Sequence, residues 1–183
     1  MVRLFVALKL PQRAREQLVP LQYGLDHANW VLRENMHLTL RFIGQIRSES
    51  FDDIFSALRA VRSKPVPLKF SDVGHFSRGS SARAVWVGVH PSKRLVEMRK
   101  RIEKSLSSVG PIAAPQKYIP HVTIAYLQGT KQKHILRWLI TNASFSTQTI
   151  MFSEFALYES YRSRKGPTYH ILETFPLNGC MYF

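Results

Sequence analysis

The chain has 183 residues and 45% hydrophobic content, enough for one compact domain over 1–183 and a tight fit for two. Its 26 Lys and Arg outnumber 12 Asp and Glu, so the net charge is +14; this balance favours a polyanionic partner, most often nucleic acid, over charge spread merely for solubility. The single cysteine, Cys180, excludes an intrachain disulfide framework and a cysteine metal site, and fits a reducing cytosol.

In chain order, residues 2–8 (VRLFVAL) read as a strand. The apolar start is broken by Arg3 and Lys9, is too short to span a membrane and lacks the shape of a signal peptide. QRAREQLVPLQ follows Pro11 as a helix. HANWVLRENMHLTLRFIG carries strand signals and stops at Gly44. SESFDDIFSALRAVR begins with a serine cap and acidic residues and ends basic, as a helix dipole prefers. VPLKFSDVGHF and RAVWVGVH read as strands. PSKRLVEMRKRIEKSLSSVG is the clearest helix: Leu95, Met98, Ile102 and Leu106 share one face, and Gly110 and Pro111 end it. YIPHVTIAYL is a strand, KQKHILRWLITN an amphipathic packing helix, and MFSEFALYES with TYHILETFPL a final strand pair around the basic turn YRSRKGP. The class is mixed α+β.

Two tetrapeptides stand out. Residues 37–40 read HLTL and residues 121–124 read HVTI, about half the chain apart and one in each strand–helix–strand half. This suggests a pseudo-repeat of two lobes. Strand alternation puts His37, Thr39 and Arg41 on one face and Leu38, Leu40 and Phe42 on the other. In the second strand His121 and Thr123 share a face, opposite Val122, Ile124 and Tyr126. A lone His on a strand is ordinarily a surface or core residue, and Thr is a common strand former. The repetition changes the reading, because two such strands over one cleft offer two imidazoles and two hydroxyls to one ligand. Imidazoles near neutrality serve as general base and general acid, and hydroxyls and guanidinium groups suit phosphate oxygens. With one good metal donor per strand and no carboxylate in either motif, metal-assisted chemistry fits poorly. The natural reading is metal-free attack on a phosphodiester.

HLTLRFIG and PHVTIAY resemble the paired motifs of the 2H phosphoesterase superfamily, named for two H-x-T/S-x elements. RLFVALKLP, Trp30 before the first motif, AVWVGV, and FALYES with GPTYHILETFPL are similar to its bacterial and archaeal RNA 2′,3′-cyclic phosphodiesterase branch, also called 2′-5′ RNA ligases. The likeness covers essentially the full length. It implies a bilobal fold with pseudo-twofold symmetry: two antiparallel sheets, helices packed outside and a central cleft holding both motifs. It implies opening of RNA 2′,3′-cyclic phosphates to 2′-phosphates without metal or other cofactor, and in some members weak reverse ligation of tRNA halves. It implies His37 as proton donor to the 3′ leaving oxygen, His121 as proton acceptor activating water, and Thr39 and Thr123 as phosphate-binding hydroxyls. One departure is Tyr126, near a position that is basic in many relatives; a phosphate contact there is either absent or supplied elsewhere, with Arg41 a candidate.

Further RNA-contact candidates are Tyr126 itself, Phe76, which could stack on a base, and the cations Arg83, Arg162, Arg164 and Lys165. His75 precedes a basic loop. His27, His90, His134 and His170 lack a Thr partner at the right spacing and read as structural or surface residues. The alternatives are a phosphodiesterase acting on 2′-5′ links or RNA 3′ ends, and a non-catalytic nucleotide or RNA binder of the same fold. The expected setting is cytoplasmic and monomeric, with RNA carrying cyclic phosphate ends, including tRNA-like fragments, as partner.

Overall fold

The computed structural model describes residues 1–90, 92–110, 112–114, 117–163 and 166–178. Among the described residues the strands are β1 (Val2–Lys9), β2 (Ala28–Trp30), β3 (His37–Ile46), β4 (Val66–Leu68), β5 (Phe70–Arg78), β6 (Ser81–Val89), β7 (His121–Leu127), β8 (Ile150–Phe152), β9 (Glu154–Ser163) and β10 (Gly166–Pro176). The α-helices among these residues are α1 (Gln12–Leu18), α2 (Phe51–Arg59), α3 (Lys93–Leu106) and α4 (Gln132–Thr141). The architecture is α+β, as the patterning indicates.

Two antiparallel sheets form among these residues: an eight-stranded one in the order β10-β9-β1-β3-β7-β6-β5, with β2 also on β7, and a ribbon of two strands. The halves of the large sheet, β10-β9-β1-β3 and β7-β6-β5, are joined by a single residue pairing, Leu38 opposite Val122. That junction falls within the two His-x-Thr strands, so each lobe contributes one motif to the seam. The ribbon, β4 with β8, pairs the short segments flanking the large sheet. The long stretches VPLKFSDVGHF and MFSEFALYES are therefore each divided: β4 and β8 pair with each other, while β5 pairs with β6 and β9 with β1. The chain between β2 and β3 turns through a short 3₁₀ segment, Arg33–Asn35, so the first motif strand begins at His37.

Helices cover one side of the sheets. Leu95, Met98, Ile102 and Leu106 are almost completely buried, as their spacing requires, and join Ile54 and Leu58 of α2 and Ile135 and Trp138 of α4 in one core. Burying each such side chain contributes about 1.5–3 kcal/mol. Ser92 caps α3 by accepting from the Leu95 amide. A second, smaller cluster contains no helix residue: Phe5, Ala7, Ala156 and Tyr158, with Tyr169 against it. These project from alternate positions of β1, β9 and β10 and form the floor of the open face.

Both motif strands carry a bulge at the same place. In β3, Ala7 faces Thr39 and Val6 faces Arg41, leaving Leu40 as the extra residue. In β7, Trp86 faces Thr123 and Val85 faces Ala125, leaving Ile124 extra. A bulge sets two residues against one and reverses the alternation beyond it. Phe42 and Tyr126, each five residues after its histidine, are thereby returned to the His-Thr face. This corrects the simple alternation, which put both on the opposite side.

Candidate active site

A cleft of about 430 Å³ is lined by His37 and Thr39 from one lobe and His121 and Thr123 from the other. Phe42 and Tyr126 line it as well, along with Arg3, Phe5, Ser160, Pro167 and Tyr169. The four motif residues named from the sequence are thus brought together.

The histidines are anchored alike. His37 Nδ1 lies 2.7 Å from the carbonyl of Asn35, and His121 Nδ1 lies 2.6 Å from that of Ile119, in each case two residues upstream. A carbonyl only accepts, so Nδ1 carries the proton and Nε2 is the nitrogen left for a ligand. Neither threonine hydroxyl is engaged by another group among the described residues, so both can donate to a bound oxyanion.

The surroundings of the two rings differ. His37 is enclosed by Phe5 at 4.9 Å, Tyr158 at 5.6 Å and Tyr169 edge-on at 4.7 Å between ring centroids. Burial pushes its pKa down to about 4, opposed by the Asn35 carbonyl and helped by repulsion from His121. His121 meets Phe76 edge-on at 4.7 Å and Trp86 at 6.0 Å. Burial lowers its pKa too, against the Ile119 carbonyl. Trp86 lies flat across Gly74, where an added Cβ would come within 2.2 Å of the indole, so a glycine is required there. With two imidazoles sharing one cleft, a proton on one disfavours a proton on the other, as an acid–base pair requires.

Tyr126 donates to or accepts from Tyr169 across the cleft, with the hydroxyls 2.8 Å apart. Burial raises the pKa of both phenols, so both are neutral near pH 7. Phe76 stands beside His121 and lines, with Phe42, Tyr118 and Arg99, an adjoining pocket of about 400 Å³.

Arg41 is corrected. The Leu40 bulge turns its side chain to the helical side, where it is 5% exposed and pairs with Glu103 at 2.9 Å. Its remaining nitrogens donate to the carbonyls of Phe42 and Ala113. The guanidinium is consumed by structure, and Phe42, half exposed, stands in the cleft in its place. His75 and Arg83 line a different groove, next to α4. His134 pairs with Asp26, and His170 packs on Tyr161. Arg164, Lys165 and Cys180 lie outside the described residues, as does the side chain of Arg162.

Arg3, Phe5, Phe42, Ser160 and Tyr169 were not singled out by sequence. Arg3 had a signal, a cation within an otherwise apolar strand. Tyr169 had only its place in a final strand, and what makes it part of the site is pairing between chain ends. Among the described residues no three His, Cys, Asp or Glu side chains gather as a metal-binding group, and no helix is long and apolar enough to cross a membrane.

The family model of the 2′-5′ RNA ligase superfamily matches residues 10–164. Over 182 residues the chain is 30% identical to the RNA 2′,3′-cyclic phosphodiesterase of Thermotoga maritima, with 93% of each chain covered. It is 27% identical over 179 residues to the protein of that name from Methanocaldococcus jannaschii, covering 94% of this chain and 99% of the relative. LigT of Escherichia coli, solved with 3′-AMP, superposes with a TM-score of 0.74 at 23% identity, covering 96% of this chain and 98% of the other.

Proposed function

Because the chain belongs to the 2′-5′ RNA ligase superfamily, we propose that it is an RNA 2′,3′-cyclic phosphodiesterase, hydrolysing cyclic phosphate ends of RNA to 2′-phosphates by two-histidine acid–base catalysis. The observation that carries this reading is the matched pair of imidazoles. Each has Nδ1 tied to a carbonyl two residues upstream, and each lines the same cleft beside a free threonine hydroxyl.

In the proposed reaction His121 Nε2 takes a proton from water as its oxygen attacks phosphorus. The P–O3′ bond breaks, and His37 delivers a proton to the departing 3′ oxygen. The product carries a 2′-phosphate and a free 3′ hydroxyl. Charge gathers on the non-bridging oxygens in the transition state, and the Thr39 and Thr123 hydroxyls donate to them. The imidazoles end with their protonation exchanged, and solvent resets them. Neutral His37 becomes an acid only once an anion enters: the phosphodiester charge favours its protonated form and offsets the burial that depresses its pKa. With the 5′ hydroxyl of a second RNA in place of water, the same proton transfers form P–O5′ as P–O3′ breaks and leave a 2′-5′ link beside a free 3′ hydroxyl, which is the weak ligation proposed here as a side reaction.

The two lobes act as one catalytic unit over 1–183, a monomer in this reading, since one chain supplies both motifs. RNA is the partner, and the single cysteine fits a cytoplasmic setting. The test is hydrolysis of an RNA bearing a 2′,3′-cyclic phosphate in excess chelator. His37→Ala and His121→Ala should each lose about 10²–10⁴ in rate. Undiminished activity in both variants, or strict dependence on metal, would refute the mechanism.

A further inference from the structure

The Tyr126–Tyr169 contact is a direct side-chain hydrogen bond between the two lobes at the cleft, and one of its partners is packed on a motif histidine. Tyr126 reaches the cleft face of β7 only because Ile124 is bulged out of register. Its hydroxyl then meets that of Tyr169, on β10 of the other lobe. The Tyr169 ring stands edge-on to His37 at 78° and edge-on to Phe5 at the same angle. It is the wall that closes the aromatic enclosure of His37. Among the described residues His121 has no counterpart: its aromatic neighbours, Phe76 and Trp86, both belong to its own lobe.

We propose that Tyr126 is a positioning residue: through the hydroxyl bridge it holds Tyr169 against His37 and widens the difference in proton affinity between the two motif histidines. The inference rests on the functional reading above, since unequal imidazoles are what fixed acid and base roles need. The titratable and charged groups around His37 are few. Lys9 is its cross-strand neighbour on β1 and is held 3.8 Å from Glu154 of β9. Arg3 lies further along β1 at the cleft, Tyr158 stands on β9, Tyr169 on β10, and His121 across the seam. Of these, Tyr169 is the one tied to the opposite lobe by a hydrogen bond. Freeing it lets water reach the His37 ring, and hydration favours the imidazolium. Burial, the first cause of the depressed His37 pKa, is the property that the bridge maintains.

The experiment is an NMR titration of the imidazole nitrogens in the wild type and in Tyr126→Phe, Tyr169→Phe and the double variant. Tyr126→Phe keeps the ring and removes one oxygen at a residue that does not itself pack on His37. The His37 midpoint should rise by about one pH unit, a part of the shift that burial produces, while that of His121 stays within a few tenths. The double variant should shift no further than either single one, because all three break the same bond. The acidic limb of the pH–rate profile should move by the same amount. An unchanged His37 midpoint, or equal movement of both histidines, overturns the proposal. The titration needs no turnover. An inactive wild type with the expected shift would sink the functional reading alone, and an active one without the shift would sink this inference alone.

Discussion

Replacing His37 with Asn tests the reasoning about the enclosed imidazole through stability. The Asn amide can keep the donor to the Asn35 carbonyl while removing the titration. In the folded protein His37 is held at about 4, against an ordinary value of 6.5. The unfolded chain therefore binds this proton more tightly, and it pulls the equilibrium toward unfolding as pH falls below 6.5, until the folded form protonates near 4. Across the whole window the loss is about 3 kcal/mol, at 1.36 kcal/mol per pH unit. Between pH 7 and pH 5 it is about 2 kcal/mol, since the two states differ little above 6.5. Guanidinium unfolding followed by circular dichroism at pH 7 and pH 5 measures it. Wild type should lose about 2 kcal/mol more than His37→Asn over this interval, other groups titrating alike in both. Parallel losses in the two proteins would show that the His37 ring is not kept from water, and the account of its protonation would fail with it.

Two other outcomes follow. Arg41→Met removes a buried cation and leaves Glu103 with Arg99 at 3.4 Å as its remaining salt bridge; it should cost about 3 kcal/mol in denaturant unfolding and leave KM for cyclic-phosphate RNA within a factor of about two, and a large KM rise at unchanged stability would restore Arg41 as a substrate contact. A cyclic phosphorothiolate with sulfur at the 3′ bridging position departs without a proton, so the proposed acid His37 becomes dispensable: His37→Ala should regain most of its lost rate on it while His121→Ala should not, and the opposite pattern reverses the two roles.

The parts of the fold legible in sequence are those where period alone decides. Leu95, Met98, Ile102 and Leu106 mark the buried face of α3 because helical spacing needs no partner to be read. The His-Thr pairs were legible because two residues of alternation suffice to place them together. Beyond Thr39 and Thr123 the reading failed for one physical cause. A bulge exists only relative to a neighbouring strand, so Leu40 and Ile124 look ordinary until β1 and β6 are paired with them. Arg41 and Phe42 consequently exchanged faces, and Tyr126 came to the cleft. Tyr169 was illegible for a related reason: its neighbours Phe5 and His37 lie more than a hundred residues upstream, and no local pattern records a pairing of chain ends.

The seam at Leu38 and Val122 also divides the molecule in time. The walls of His121 come from β5 and β6, a hairpin completed before the second motif is synthesised. The walls of His37 come from β1 and from the two last strands, so they require closure of a loop nearly as long as the chain. Such closure is entropically slow relative to a local hairpin. A nascent chain ending just after α4 already holds both histidines yet has only one of them housed, and the reactive pair is completed when the C-terminal strands dock on the first.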